Sequence, residues 1–191
     1  MVKKIVAATA LTATMAFAQS EIDINVNNKS YELSGSLMIN DIYGLDYMSK
    51  YYVGAGILRN AESSKPNHNL MNLNFKVLNA FPDAQGLTLG IGAKFVYLDH
   101  SHVDMNAIAF GIYGQYDITP RFHVDAQVHY SPKVLTYSDG DYHREARANV
   151  NFAIVNNGYI YAGYRDIKTK LDGKGSVKYN DNPYIGFKFL F

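Results

Sequence analysis

His129, Tyr130 and Ser131 set an imidazole and a hydroxyl two residues apart, and Glu145 is a carboxylate that could orient the imidazole. That trio could work as a general base, a nucleophile and an orienting group. A second candidate is Asp99-His100-Ser101-His102-Val103-Asp104, where two imidazoles and a carboxylate could hold a metal ion. A His-x-His pair in an exposed loop is more often solvated than ligated, so the expectation is no metal and no cofactor. Gly90-Ile91-Gly92 lacks the third glycine and the following helix of a nucleotide loop. Zero cysteine removes thiolate metal sites, Cys nucleophiles and a disulfide framework. The largest chemical set is ionic: Lys76, Lys94, Asp125, Glu145, Arg147 and Arg165, with His123 and His129 beside them.

The elements that must position these residues have a period of two. Phe122, Val124, Ala126, Val128 and Tyr130 alternate with Arg121, His123, Asp125, Gln127 and His129, one face apolar and the other polar. Ala146, Ala148, Val150, Phe152 and Ile154 alternate with Glu145, Arg147, Asn149, Asn151 and Ala153 in the same way. Looser alternation runs through 50–59, 68–79, 86–98, 104–116, 158–168 and 181–191, with shorter candidates at 22–27 and 31–39. This predicts ten strands. One face of them carries Met71, Leu73, Phe75 and Val77, and the opposite face Asn72, Asn74 and Lys76.

The connections separate a membrane barrel from a soluble sandwich. Short turns at Phe81–Gln85, Asp117–Pro120 and Asn156–Gly158 alternate with longer links at 60–67, 99–103, 133–142 and 169–180, the pattern of short periplasmic turns and longer external loops. The long 40–49 link, at the short-turn end, is the exception. A three-residue loop ending in Gly158 would pair Ile154 with Ile160 and Asn149 with Arg165. Residues 1–18 read as a secretory signal, with Lys3 and Lys4, an apolar Ile5–Met15 and an Ala16-Phe17-Ala18 cleavage site, leaving 19–191 as the barrel. Net charge is +1, or −1 without Lys3 and Lys4, which speaks against a nucleic-acid partner. Charged residues make up 18% and aromatics 14% of the 191 residues. Tyr51, Tyr97, Tyr116, Tyr130 and Tyr159 lie near strand ends and read as an interfacial girdle.

Ile185, Phe187, Phe189 and Phe191 alternate up to the last residue of the sequence. This ending resembles the assembly signal of bacterial outer-membrane barrels, and implies recognition by a barrel assembly machinery. Lys94-Phe-Val-Tyr-Leu98, Tyr130-Ser131-Pro132, Gly163-Tyr164-Arg165 and Pro183-Tyr184-Ile185-Gly186 resemble, in order and spacing, the YfaZ family of small outer-membrane proteins. The resemblance implies fold and location, with no chemical role attached to these motifs. His129 and Ser131 also resemble the His-x-Ser pair of outer-membrane lipid A deacylases. Here, however, alternation aims both at the lumen, and Pro132 stands where those enzymes carry Asn. The Asp99–Asp104 loop raises a resemblance to ten-stranded omptin proteases, without their paired Asp-Asp element.

The expected architecture is an all-β, transmembrane, antiparallel up-and-down barrel of ten strands. Eight strands plus an N-terminal extra segment is the alternative. The expected protein is exported to the bacterial outer membrane and monomeric there among its lipids. Its role is structural, or a narrow porin-like passage through a lumen network of Lys76, Lys94, His123, Asp125, Glu145, Arg147 and Arg165. The balance of residues is against an enzyme, with a lipid A deacylase-like hydrolase on His129, Ser131 and Glu145 as the alternative.

Overall fold

An extended segment satisfies its backbone amides only by pairing on both sides, and here that pairing runs full circle. The computed structural model describes residues 20–40, 44, 49–60, 69–100, 103–138, 140–171 and 175–191. Its strands are β1 (Glu21–Val26), β2 (Ser30–Met38), β3 (Ser49–Asn60), β4 (Asn69–Ala80), β5 (Leu87–His100), β6 (Val103–Thr119), β7 (Phe122–Ser131), β8 (Thr136–Ser138), β9 (Gly140–Val155), β10 (Gly158–Leu171) and β11 (Gly175–Leu190). A 3-10 turn, Lys133–Leu135, precedes β8.

Every strand except β8 belongs to one antiparallel ring: β1 to β7 in sequence, then β9, β10 and β11, with β11 closing on β1. This is a closed ten-stranded barrel. β1 and β2 are wall strands of that ring, which excludes the eight-strand alternative. β8 is a short flap that folds back onto β6, pairing Thr136–Ser138 with Met105–Ala107. Backbone bonds between Ser20 and Phe191, at 2.8 and 2.9 Å, join the two ends of the described chain beside the closing seam. They lie at the same end of the barrel as the 81–86, 120–121 and 156–157 turns.

The polarity of the wall is inverted relative to a soluble protein. Ile91, Leu73, Phe110, Ile112, Val150, Phe152, Ile185 and Phe187 are exposed on the outside, while Glu32, Lys94, His129, Glu145 and Arg165 are buried inside. Placing charge inside follows from lipid solvation, since a Lys or Arg facing mid-bilayer costs about 2–4 kcal/mol.

Four expectations from the sequence are corrected. The β9–β10 turn holds two residues, Asn156 and Asn157, and its first pair is Val155 with Gly158. A bulge follows at once, so that Tyr159 pairs with Ala153, Ile160 with Phe152 and Arg165 with Arg147, two residues away from the expected register. The bulge absorbs one β9 residue and restores the facing that a two-residue turn alone would invert. The 169–180 stretch is mostly strand, since β10 runs to Leu171 and β11 starts at Gly175, with a further bulge at Ile167 and Lys168. The 99–103 stretch is also mostly strand, with only residues 101–102 between His100 and Val103. Tyr159 is no girdle residue: it lines the interior and meets His123 edge-on at 5.2 Å.

Candidate functional site

Along each strand the inward positions change character from one barrel end to the other, giving three levels. At the loop end the inner face is apolar: Leu58, Leu70, Val96, Leu98, Met105, Ala107, Ile167 and Tyr179 form one buried cluster. Tyr179 donates its hydroxyl hydrogen to the Leu58 carbonyl oxygen at 3.2 Å, tying β11 to β3. Of this cluster, alternation places only Ala107 on the inner face from sequence. The available signal was the inward run Lys94, Val96, Leu98, in which the polar parity turns apolar towards the end of β5.

Beneath it lies an ionic relay. Lys94 of β5 reaches both Glu145 oxygens at 3.0 Å. Arg147 of β9 donates from Nε to Glu145 at 2.5 Å and grips Glu32 of β2 through both terminal nitrogens, at 2.7 and 2.9 Å. Arg165 of β10 pairs with the same Glu32 carboxylate. It also donates to Asn25 at 3.1 Å, Ser30 at 3.2 Å and Asn180 at 3.3 Å. Two-point guanidinium–carboxylate contact fixes orientation as well as charge. β9 and β2 stand four places apart in the ring of ten, so the relay crosses the interior instead of running along a wall.

Towards the turn end the interior opens into a cavity of about 640 Å³, lined among others by Glu21, Asp23, Lys76, Asp125, Tyr161 and Lys188. Lys76 pairs with Glu21 at 2.9 Å and lies 4.8 Å from the Tyr52 ring. Asp125 accepts from Asn149 at 2.9 Å and Asn151 at 2.6 Å, and Asp23 accepts from Tyr161 at 2.6 Å. Small inward residues of β2, such as Ser34 and Ser36, line the cavity and leave the room for it. Gly92 is needed where it stands, because a Cβ there would run into the Phe75 carbonyl oxygen on β4.

Each residue of the expected network therefore points inward, but not into one network. Lys94, Glu145, Arg147 and Arg165 join the relay, whereas Lys76, His123 and Asp125 lie in the cavity. Glu32, the carboxylate on which the relay turns, was not singled out. Its signal was the polar alternation Ser30, Glu32, Ser34, Ser36 in β2.

The hydrolytic trio does not assemble. His129 and Ser131 are both fully buried on the inner side of β7. His129 Nε2 is 2.8 Å from the Tyr113 hydroxyl, and its Nδ1 has no partner among the described residues. Ser131 Oγ donates to the Leu135 carbonyl at 3.1 Å and lies 3.0 Å from Thr136 Oγ1, so it anchors the turn leading to the β8 flap. Glu145 is opposite His129 in register but gives its oxygens to Lys94 and Arg147. His129 and Ser131 share no hydrogen bond that could activate a nucleophile. For the metal reading of Asp99–Asp104, residues 101–102 and the surrounding side chains lie outside the described residues. No His, Asp and Glu grouping fit for a metal occurs among the described residues.

The family described as YfaZ precursor matches residues 60–191. The chain belongs to the YfaZ family. Joined with a wall that is apolar outside and charged inside, this makes it an exported outer-membrane β-barrel protein. No curated protein matches the chain. Among solved structures it is similar to the outer-membrane OmpT of Vibrio cholerae, at 14% identity and a TM-score of 0.41 over 90% of this chain and 64% of that one. It is also similar to the outer membrane channel DcaP of Acinetobacter baumannii, at 11% identity and a TM-score of 0.48 over 88% of this chain and 54% of that one. The chain spans less than two thirds of either.

Proposed function

We propose that this YfaZ-family barrel is a structural outer-membrane protein whose interior is closed to passage, with a polar vestibule on the periplasmic side. The observation that carries the reading is the relay Lys94–Glu145–Arg147–Glu32–Arg165, which joins strands on nearly opposite walls directly beneath an apolar cluster. A hydrated ion moving along the axis would have to separate paired charges and then cross a layer of Leu, Ile, Val and Met. The barrel has two more strands than the eight that side chains alone just fill, and here Arg, Tyr and His take up the extra width. The joined ends of the described chain, Ser20 and Phe191, lie at the vestibule end, which supports placing that end on the periplasmic side. Single-channel recording of the refolded protein tests this. The expected trace shows no steady conductance, with discrete openings in Arg147→Ala, where Glu32 and Glu145 both lose a partner. A large, steady conductance of the unmodified protein would overturn the proposal.

A further inference from the structure

The outer surface near the loop end has an asymmetry that the interior does not explain. Three cations stand side by side on the outward face: Arg144 of β9 is opposite Lys168 of β10, which is opposite Lys178 of β11. Like charges directly opposite each other across a strand pair are destabilising. Lys170 and Lys133 extend the group, both about half exposed or more. Among the described residues, three carboxylates partly offset these five cations. Arg144 pairs with Asp166 at 2.7 Å, Lys178 pairs with Asp181, and Asp141 takes Lys170 at 2.8 Å and Lys133 at 3.6 Å. Lys168, in the middle of the row, has no acidic partner among the described residues.

The ground beneath the row is lipid-facing. Tyr164, Ile185, Phe187, Val150 and Phe152 are exposed on the same three strands. Tyr130 and Tyr142 pack at 6.3 Å beside Arg144. Tyrosine at this level marks the border between hydrocarbon and headgroups. On the other side of the ring, the corresponding outward positions of β3 and β4 hold Arg59 opposite Asn69, with no comparable row among the described residues. A surplus of cations on one arc, at headgroup height and above an apolar wall, is complementary to anions fixed at the membrane surface.

We infer that the outward row Arg144, Lys168 and Lys178, backed by Lys170 and Lys133, is a docking surface for the phosphates of an outer-leaflet lipid, with Lys168 as the central contact. A phosphate between neighbouring strands would turn the like-charge row into a set of charge-assisted bonds, while the acyl chains lay against the wall below. A lipid is favoured over a free anion because the cations and the acyl-facing surface are continuous.

The test is binding of the full barrel to phosphatidylcholine vesicles doped with diphosphorylated lipid A, dephosphorylated lipid A or no lipid A, with bound lipid counted by native mass spectrometry. Retention of the diphosphorylated form over the dephosphorylated form is expected. Each cation removed should weaken retention about fivefold at low salt, and Arg144→Gln, Lys168→Gln and Lys178→Gln together about a hundredfold. Arg59→Gln should change nothing. If the triple variant lacks the heat-dependent gel shift of a folded barrel, Lys168→Gln alone carries the comparison. Equal retention of both lipid A forms, an unaffected Lys168→Gln variant, or displacement by inorganic phosphate as effective as by lipid A would overturn the inference.

Discussion

Glu32 shows how much depends on one carboxylate. Arg147 and Arg165 converge on it from two strands, and Asn25 donates to it at 3.0 Å. The relay holds two carboxylates among three cations, so removing Glu32 leaves two buried guanidiniums short of a partner, whereas removing a cation leaves the carboxylates still paired. Breaking one side of a buried pair costs about 3–5 kcal/mol, because the remaining charge stays out of water uncompensated. Glu32→Gln should therefore lower the unfolding free energy of the detergent-folded barrel by about that amount in a guanidinium titration. Glu21→Gln is the comparison: its pair with Lys76 is partly exposed in the cavity, and the loss should stay near 1 kcal/mol. Equal losses for both would show that the relay does not bear on stability. Facing was readable at this scale, since polar parity placed Lys94, Glu145, Arg147 and Arg165 inward. Partnership was not readable, because Arg147 meets Glu32 across the interior, 115 positions apart in the chain, and no periodicity encodes that distance.

At the level of strands, alternation decided most of the fold, because a strand half in lipid and half against a charged interior cannot slip by one residue without reversing every side chain. It is silent on slips of two, and the β9–β10 hairpin differs from expectation by that amount, since the two-residue Asn156-Asn157 turn and the bulge after it together leave parity unchanged. It also misses strand length where outward positions turn polar. Lys170 reads as a loop residue, although it continues β10 above the apolar belt. The last strand was legible because its two faces differ so strongly. Phe187 and Phe189 are exposed outward, while Tyr184 is buried inward with its hydroxyl 2.5 Å from Asn149 Oδ1. Because β11 also closes the ring against β1, placing Asp at both Phe187 and Phe189 should block insertion and closure together. The expected result is protein that stays protease-sensitive and shows no heat-dependent gel shift, with Phe187→Leu and Phe189→Leu behaving as wild type. Normal insertion of the double Asp variant would mean that these positions do not face lipid.

For the molecule as a whole, the three interior levels make the two barrel ends unequal. Seen from the turn end, the interior is a polar cavity of about 640 Å³ reaching the Lys94 and Arg147 side chains. Seen from the loop end, Ile167, Leu98, Leu70 and Met105 fill the axis with essentially no exposure. A solute of the vestibule would then enter and leave on one side only. The cysteine-free sequence makes this measurable with single thiols placed along the axis. Gln115→Cys lies in the cavity wall on β6, and Ile167→Cys lies in the apolar cluster on β10. In vesicles carrying the barrel inserted one way round, a small charged thiol reagent added on the turn side should modify Gln115→Cys rapidly. The same reagent on the loop side should leave it intact, and Ile167→Cys should react from neither side. Adding Arg147→Ala to Gln115→Cys should open a slow route from the loop side, because the relay is then broken while the apolar cluster remains. Equal rates for Gln115→Cys from both sides of the unmodified relay would show a continuous passage, and the closed reading of the barrel would fall with it.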